Sequence, residues 1–294
     1  MIIDKNSTLA FVFIAAALLM PLIASAQDYS RTIERSATFE NASAAGNKLS
    51  VYNVHGSVTV QGYEGEEIRI TAIEEINGSG REVELAKEEL SLRVEQEGSL
   101  VLIYLDAPFI TINRKGDRIQ YRMDRRDNDY DFLFDITVRV PKNTQIYAST
   151  INRGTVTVEN TNREVSASNV NGQIQLSNIS GATKAHTVNG NITATYSASP
   201  GADSNYQTIN GTIEVNYPES LSADIRFKSM HGELYTDFSN TQRLKVQVNK
   251  DVSSKRGKTT YRLDRFAPIR IGAGGPTYSF EVLNGDVYVK QIKS

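Results

Sequence analysis

The sequence predicts an all-β protein, a single-domain parallel β-helix (β-solenoid) with coils of about 18–21 residues and protruding hairpins. Three observations predict it. A phrase of the form apolar-Asn-Gly-x-apolar recurs: Val170-Asn171-Gly172-Gln173-Ile174, Val188-Asn189-Gly190-Asn191-Ile192, Ile209-Asn210-Gly211-Thr212-Ile213, Met230-His231-Gly232-Glu233-Leu234, with Val54-His55-Gly56-Ser57-Val58 before and Leu283-Asn284-Gly285-Asp286-Val287 after. The glycines at 154, 172, 190, 211 and 232 are spaced 18, 18, 21 and 21 residues apart. Residues after each glycine alternate apolar and polar with period two, as a strand with one buried face requires.

Each unit reads as strand, tight corner, strand. Asn-Gly suits a corner because both residues tolerate positive φ. Two architectures fit. An Asn-Gly between alternating strands is a strong hairpin signal and would give an antiparallel meander. A fixed period near 20 residues also fits stacked coils, with Val and Ile ladders inside and Asn stacked at a corner. The second corner, Asn160-Thr161-Asn162 and Asn178-Ile179-Ser180-Gly181, repeats too, which favours the coils.

The remaining elements follow in order. Residues 1–26 read as a signal peptide: an apolar run from Leu9 to Ile23 is followed by Ala24-Ser25-Ala26, an A-x-A cleavage pattern. Residues 27–294 are expected to form one β-helix domain, with regular repeats over about 142–238 and insertions at about 106–131 and 239–265. Glu67 to Ile76 alternates and reads as a strand; Glu82 to Leu90 suits one short helix. Leu92 to Val94, Leu100 to Leu105 and Ile136 to Val140 read as strands, the last closed by Pro141. Residues 106–131 suit a long loop or a hairpin. Lys245 to Val248 and Thr259 to Leu263 suit another hairpin around the tip 253–257.

The stretch FDITVRVPKNTQIYASTINRGTVTVENTNREVSASNVNGQIQLSNISGATKAHTVNGNITATY resembles the "putative-adhesin" family of exported bacterial β-helix domains, a domain of unknown function. LSVYNVHGSVTVQGYEGEEIRITA and IGAGGPTYSFEVLNGDVYVK resemble the two ends of the same domain, so the likeness spans roughly residues 33–292. The resemblance implies a parallel β-helix in an extracytoplasmic setting. It implies no catalytic residues and no cofactor. The sequence departs from the family pattern at Arg153 and in the two long insertions.

Composition narrows the chemistry. The chain of 294 residues has no cysteine, three histidines and a net charge of −2. Disulfides, thiolate metal sites and catalytic thiols are excluded, and nucleic acid is not the expected partner, since phosphate binders carry excess Lys and Arg. His55 and His231 stand in the Asn slot of the corner, and His186 lies four residues before Gly190, with no metal-ligand spacing among them. Residues 127–131 (DNDYD) begin like a calcium loop, but Phe132 stands where the loop needs Gly. Glu214 and Asp237 are isolated carboxylates, whereas glycan cleavage needs a pair. The run 271–276 (IGAGGP) reads as a turn rather than a phosphate loop.

Charge is uneven: residues 64–97 hold eleven Glu against four basic residues, and residues 243–265 hold eight basic against two acidic. Lys255, Arg256 and Lys258 cluster at the tip of the basic hairpin and are the candidate polyanion contact. The expectation is therefore a non-catalytic exported β-solenoid without cofactor or bound metal. It would be an adhesin or a binding or structural protein of the cell envelope, in the periplasm, at the outer membrane or outside the cell. Its partner would be an envelope glycan, a lipid headgroup or a protein, with no membrane span in the mature chain. The alternatives are a carbohydrate-active β-helix enzyme and a periplasmic accessory protein of an envelope signalling system.

Overall fold

A computed structural model describes residues 27–115, 118–123, 130–245, 247–255, 258–266 and 268–293. Residues 1–26, expected to be a signal peptide, lie outside them, as do residues 127–129 of the 127–131 run and Arg256 and Gly257 of the 253–257 tip. No helix among the described residues is long and apolar enough to cross a membrane.

The chain builds two large open sheets, one of ten strands and one of eleven, which share one hydrophobic core. The first sheet runs Gln27–Thr38, Glu67–Gly78, Asp131–Pro141, Val58–Tyr63, Val156–Glu159, Ile174–Ile179, Ile192–Tyr196, Ile213–Tyr217, Val287–Gln291 and Leu234–Thr236. The second runs Thr241–Arg243, Ile269–Ile271, Ala223–His231, Thr277–Asn284, Ser204–Asn210, Thr183–Asn189, Val165–Ser168, Gln145–Ser149, Lys48–Tyr52, Leu100–Asp106 and Ser91–Glu97.

This corrects the expectation of a single parallel β-helix. The two sheets are mixed and the architecture is a β-sandwich. Glu67–Gly78 pairs antiparallel with both Gln27–Thr38 and Asp131–Pro141. Ser91–Glu97 pairs antiparallel with Leu100–Asp106, and Ile269–Ile271 with both Ala223–His231 and Thr241–Arg243. Parallel pairing runs through the repeats, as between Val156–Glu159 and Ile174–Ile179, and in the first sheet it continues from Asp131–Pro141 out to the edge strand Leu234–Thr236. The meander is excluded as well. Each Asn-Gly carries the chain from one sheet to the other instead of closing a hairpin within one.

Sequence order also fails to give spatial order. Thr277–Asn284 and Val287–Gln291 insert between the unit holding Gly211 and the unit holding Gly232. The corner glycines therefore stack in the order 56, 154, 172, 190, 211, 285, 232. A Cβ on each of the last six would fall 1.8–2.1 Å from the carbonyl oxygen of the glycine before it. Close approach of backbone is what these positions share. Positive φ occurs at Gly56, Gly211 and Gly285, but not at Gly190.

The position two after each glycine lines the core: Val58, Val156, Ile174, Ile192, Ile213 and Val287 are fully buried. The apolar position two before it is buried at Val54 and half-buried at Val188, but Val170, Ile209, Leu283 and Met230 are open to solvent. Next to these positions the corner asparagines join amide to amide. Asn171 donates to Asn152, Asn189 to Asn171, Asn210 to Asn189 and Asn284 to Asn210, at 2.7–2.9 Å. Where the units lengthen, aromatic rings fill the interior: Tyr196 stacks on Tyr217 of the neighbouring strand at 4.8 Å, and Tyr217 on Tyr278 of the opposite sheet at 5.2 Å.

The helix spans Gly80–Glu89, with Ser79 and Glu82 closing a capping box and Val83 and Ala86 buried. The insertions hold two antiparallel hairpins, Ile110–Lys115 with Arg118–Met123 and Gln247–Lys255 with Lys258–Phe266. The 271–276 run is a turn leading into a strand, with Gly272 and Gly274 at φ 61° and 77°.

Candidate functional site

The outer face of the second sheet carries a groove of about 810 Å³. Its floor comes from residues that point away from the core by strand alternation. Lys48 and Tyr52 share one strand, Gln145 and Tyr147 the next, then Ser166 and Lys184 on the two after. Register sets Tyr147 beside Ser166 and Ser166 beside Lys184. Two inter-strand steps, roughly 10 Å, thus separate the tyrosine from the lysine.

The wall is the antiparallel strand pair Ile110–Lys115 and Arg118–Met123, which supplies Asn113, Arg114, Lys115 and Gln120. Sequence explains its placement. Ile112 packs on a small apolar cluster of Tyr52 and Leu102, joined by Tyr104 and Tyr147, and the Tyr52 and Tyr147 rings lie 4.8 Å apart. Arg114 then forks onto two carboxylates, donating to Glu95 at 2.8 Å and to Glu97 at 2.9 and 2.6 Å. Those bonds, Glu97's first, raise the Arg114 pKa above its ordinary value. Tyr104 donates to Glu95 at 2.6 Å, and burial together with that carboxylate pushes its phenol up to about 12.

Among the described residues the lining holds Lys48, Arg114, Lys115 and Lys184 against one acidic residue, Glu164. Lys184 and Glu164 pair at 2.6 Å, with side chains 66% and 44% exposed. Such an open pair contributes little to stability, so its lysine can exchange partners at low cost. A ligand here meets positive charge, amides, one hydroxyl and an aromatic floor.

The residues singled out in the sequence lie elsewhere. Lys255 and Lys258 are register partners at the end of the basic hairpin's two strands, and Arg256 is outside the described residues. His55 and His231 continue the asparagine row at its two ends, in register with Asn152 and Asn284. Burial, then Arg153, holds the His55 pKa below its ordinary value, against the pull of Asp131. No group of three or more His, Asp or Glu among the described residues is placed to hold a metal ion. Glu214 is paired with Lys290 at 2.8 Å, and Asp237 accepts the Gln291 amide at 2.7 Å.

No protein-family model matches the chain, and no curated protein matches it. Among solved structures it is similar to a "putative cell adhesion protein" from Clostridium sporogenes, at 11% identity and a TM-score of 0.37, covering 89% of this chain and 100% of that one. It is also similar to a "putative adhesin" from Bacteroides fragilis, at 13% identity and a TM-score of 0.29, covering 89% and 97%. A "putative lipid binding protein" from Parabacteroides distasonis shares 10% identity at a TM-score of 0.27, over 89% and 97% of the two chains.

Proposed function

We propose that the protein is a non-catalytic exported protein that binds a component of the cell envelope through the outer face of its second sheet. The observation that carries this reading is the basic, tyrosine-floored groove walled by the strand pair Ile110–Lys115 and Arg118–Met123. Binding without cleavage is supported by the state of the neighbouring carboxylates. Glu95 and Glu97 are tied to Arg114, which leaves Glu164 without a second free carboxylate among the described lining residues. Hydrolysis of a glycosidic bond needs one carboxyl that gives a proton and a second that attacks or activates water. Export is supported by the apolar run and A-x-A pattern of residues 9–26.

The test is retention of solubilised envelope material by immobilised wild-type protein and by Ser166→Trp. Ser166 faces outward on the groove floor, so the larger ring fills the site without entering the core. Retention lost in the variant supports the reading. Equal retention, or chain shortening of the bound glycan, contradicts it.

A further inference from the structure

We infer that the groove's ligand is an acidic polysaccharide bearing uronate groups. This rests on the groove being the binding site. Three features of the lining select the chemistry. Lys48, Lys115 and Lys184 come from two strands of the sheet and from the hairpin, so positive charge is presented across the strands and not at one point. Lysine meets a carboxylate as a flexible, hydrated point charge. Tyr147 lies on the floor between them, and the negative face of its ring suits the polarised C–H face of a pyranose. Asn113, Gln120, Gln145 and Ser166 supply donors and acceptors for ring hydroxyls.

A phosphate-bearing lipid headgroup would use the lysines and leave the amides and the ring idle. A neutral glycan would use the ring and amides and leave the lysines facing hydroxyls. The uronate chain engages all of them. The Lys184–Glu164 pair then acts as an exchangeable latch, since a ligand carboxylate takes the place of Glu164. Because the contacts are exposed charges, screened beyond about 8 Å at physiological ionic strength, binding should weaken steeply with salt.

The experiment measures binding of full-length mature protein to surfaces of polygalacturonate, dextran and anionic phospholipid vesicles across a salt series. Wild type should bind polygalacturonate at least tenfold more tightly than either other surface. Lys115→Ser/Lys184→Ser should lose most of that binding at an unchanged melting temperature. Lys255→Ser/Arg256→Ser/Lys258→Ser should keep it. Equal binding to vesicles, equal binding to dextran, or loss in the tip variant with none in the groove variant overturns the inference. If Ser166→Trp loses envelope material while wild type ignores polygalacturonate, the uronate assignment falls and the groove stands.

Discussion

Asn284 donates its side-chain amide to Asn210 Oδ1 at 2.7 Å, although 74 residues separate them. His231, only 21 residues beyond Asn210 in the chain, sits one strand further out, in register with Asn284. The final unit of the sequence is thus slotted into the sandwich ahead of the unit that precedes it. With no native cysteine, this order is directly checkable. Asn210→Cys with Asn284→Cys should oxidise to a disulfide, because paired strands bring Cα atoms within bridging range. Asn210→Cys with His231→Cys should not. The reverse pattern would mean that the units stack in sequence order.

The corner glycines are fixed by space. A Cβ on Gly190 would lie 2.1 Å from the Gly172 carbonyl oxygen, an atom that also accepts from the buried Thr187 hydroxyl at 2.9 Å. Gly190→Ala should therefore destabilise by about 1–3 kcal/mol, as overpacking does. Gly201 has open space around it, so Gly201→Ala should be near neutral. Chemical denaturation of the two variants checks the contrast, and equal midpoints would contradict the glycine stack.

Glu74 is wholly buried on the core side of its strand, and its partner is Arg31, whose side chain is 41% exposed. Arg31→Ala would leave the carboxylate buried and unpaired. The expected loss is about 2 kcal/mol, less than the ~3–5 for a fully buried pair because water reaches the arginine side. Arg31→Ala/Glu74→Leu should recover most of it. A double variant no more stable than the single would contradict the assignment of the loss to the stranded charge.

His55 gives a pH dependence with a definite sign. Its ring is half-buried, edge-on to Phe132 at 5.0 Å, and its Nδ1 has no hydrogen-bond partner among the described residues. Its folded pKa lies below the ordinary value, so near and below about pH 6.5 the unfolded chain binds more protons than the folded one. The stability associated with neutral His55 is present above pH 6.5 and is lost as pH falls through the folded value. His55→Gln should flatten the stability profile in that window, read by melting temperature from pH 7.5 to 5. An unchanged slope would show that the histidine does not titrate there.

How much of this was legible in the sequence depends on how local the signal was. The buried ladder of Val58, Val156 and Ile174 and the asparagine row were readable because they repeat. The hairpins at 106–131 and 239–265 were readable as interruptions of that repeat. The antiparallel flanks were not. Gln27–Thr38 is mostly exposed, so it lacks the alternation that marks a strand, yet it pairs antiparallel with Glu67–Gly78 along its whole length. The insertion of the last unit was hidden because Leu283-Asn284-Gly285 reads like every other corner. The groove was hidden for a different reason. Lys48, Lys115, Tyr147 and Lys184 converge only through register and through Ile112 and Arg114 pinning the hairpin, so no spacing announces them. The dense charge at 243–265, by contrast, is legible because it is contiguous.

The most direct measurement is amide hydrogen exchange of the mature protein with and without saturating polygalacturonate. New protection should appear in Ile110–Lys115, Gln145–Ser149 and Val165–Ser168, the segments that wall and floor the groove. The Gln247–Phe266 hairpin and the outer strands of the first sheet should be unchanged. Protection confined to the Gln247–Phe266 hairpin, or absent from all three groove segments, would contradict the groove as the binding site.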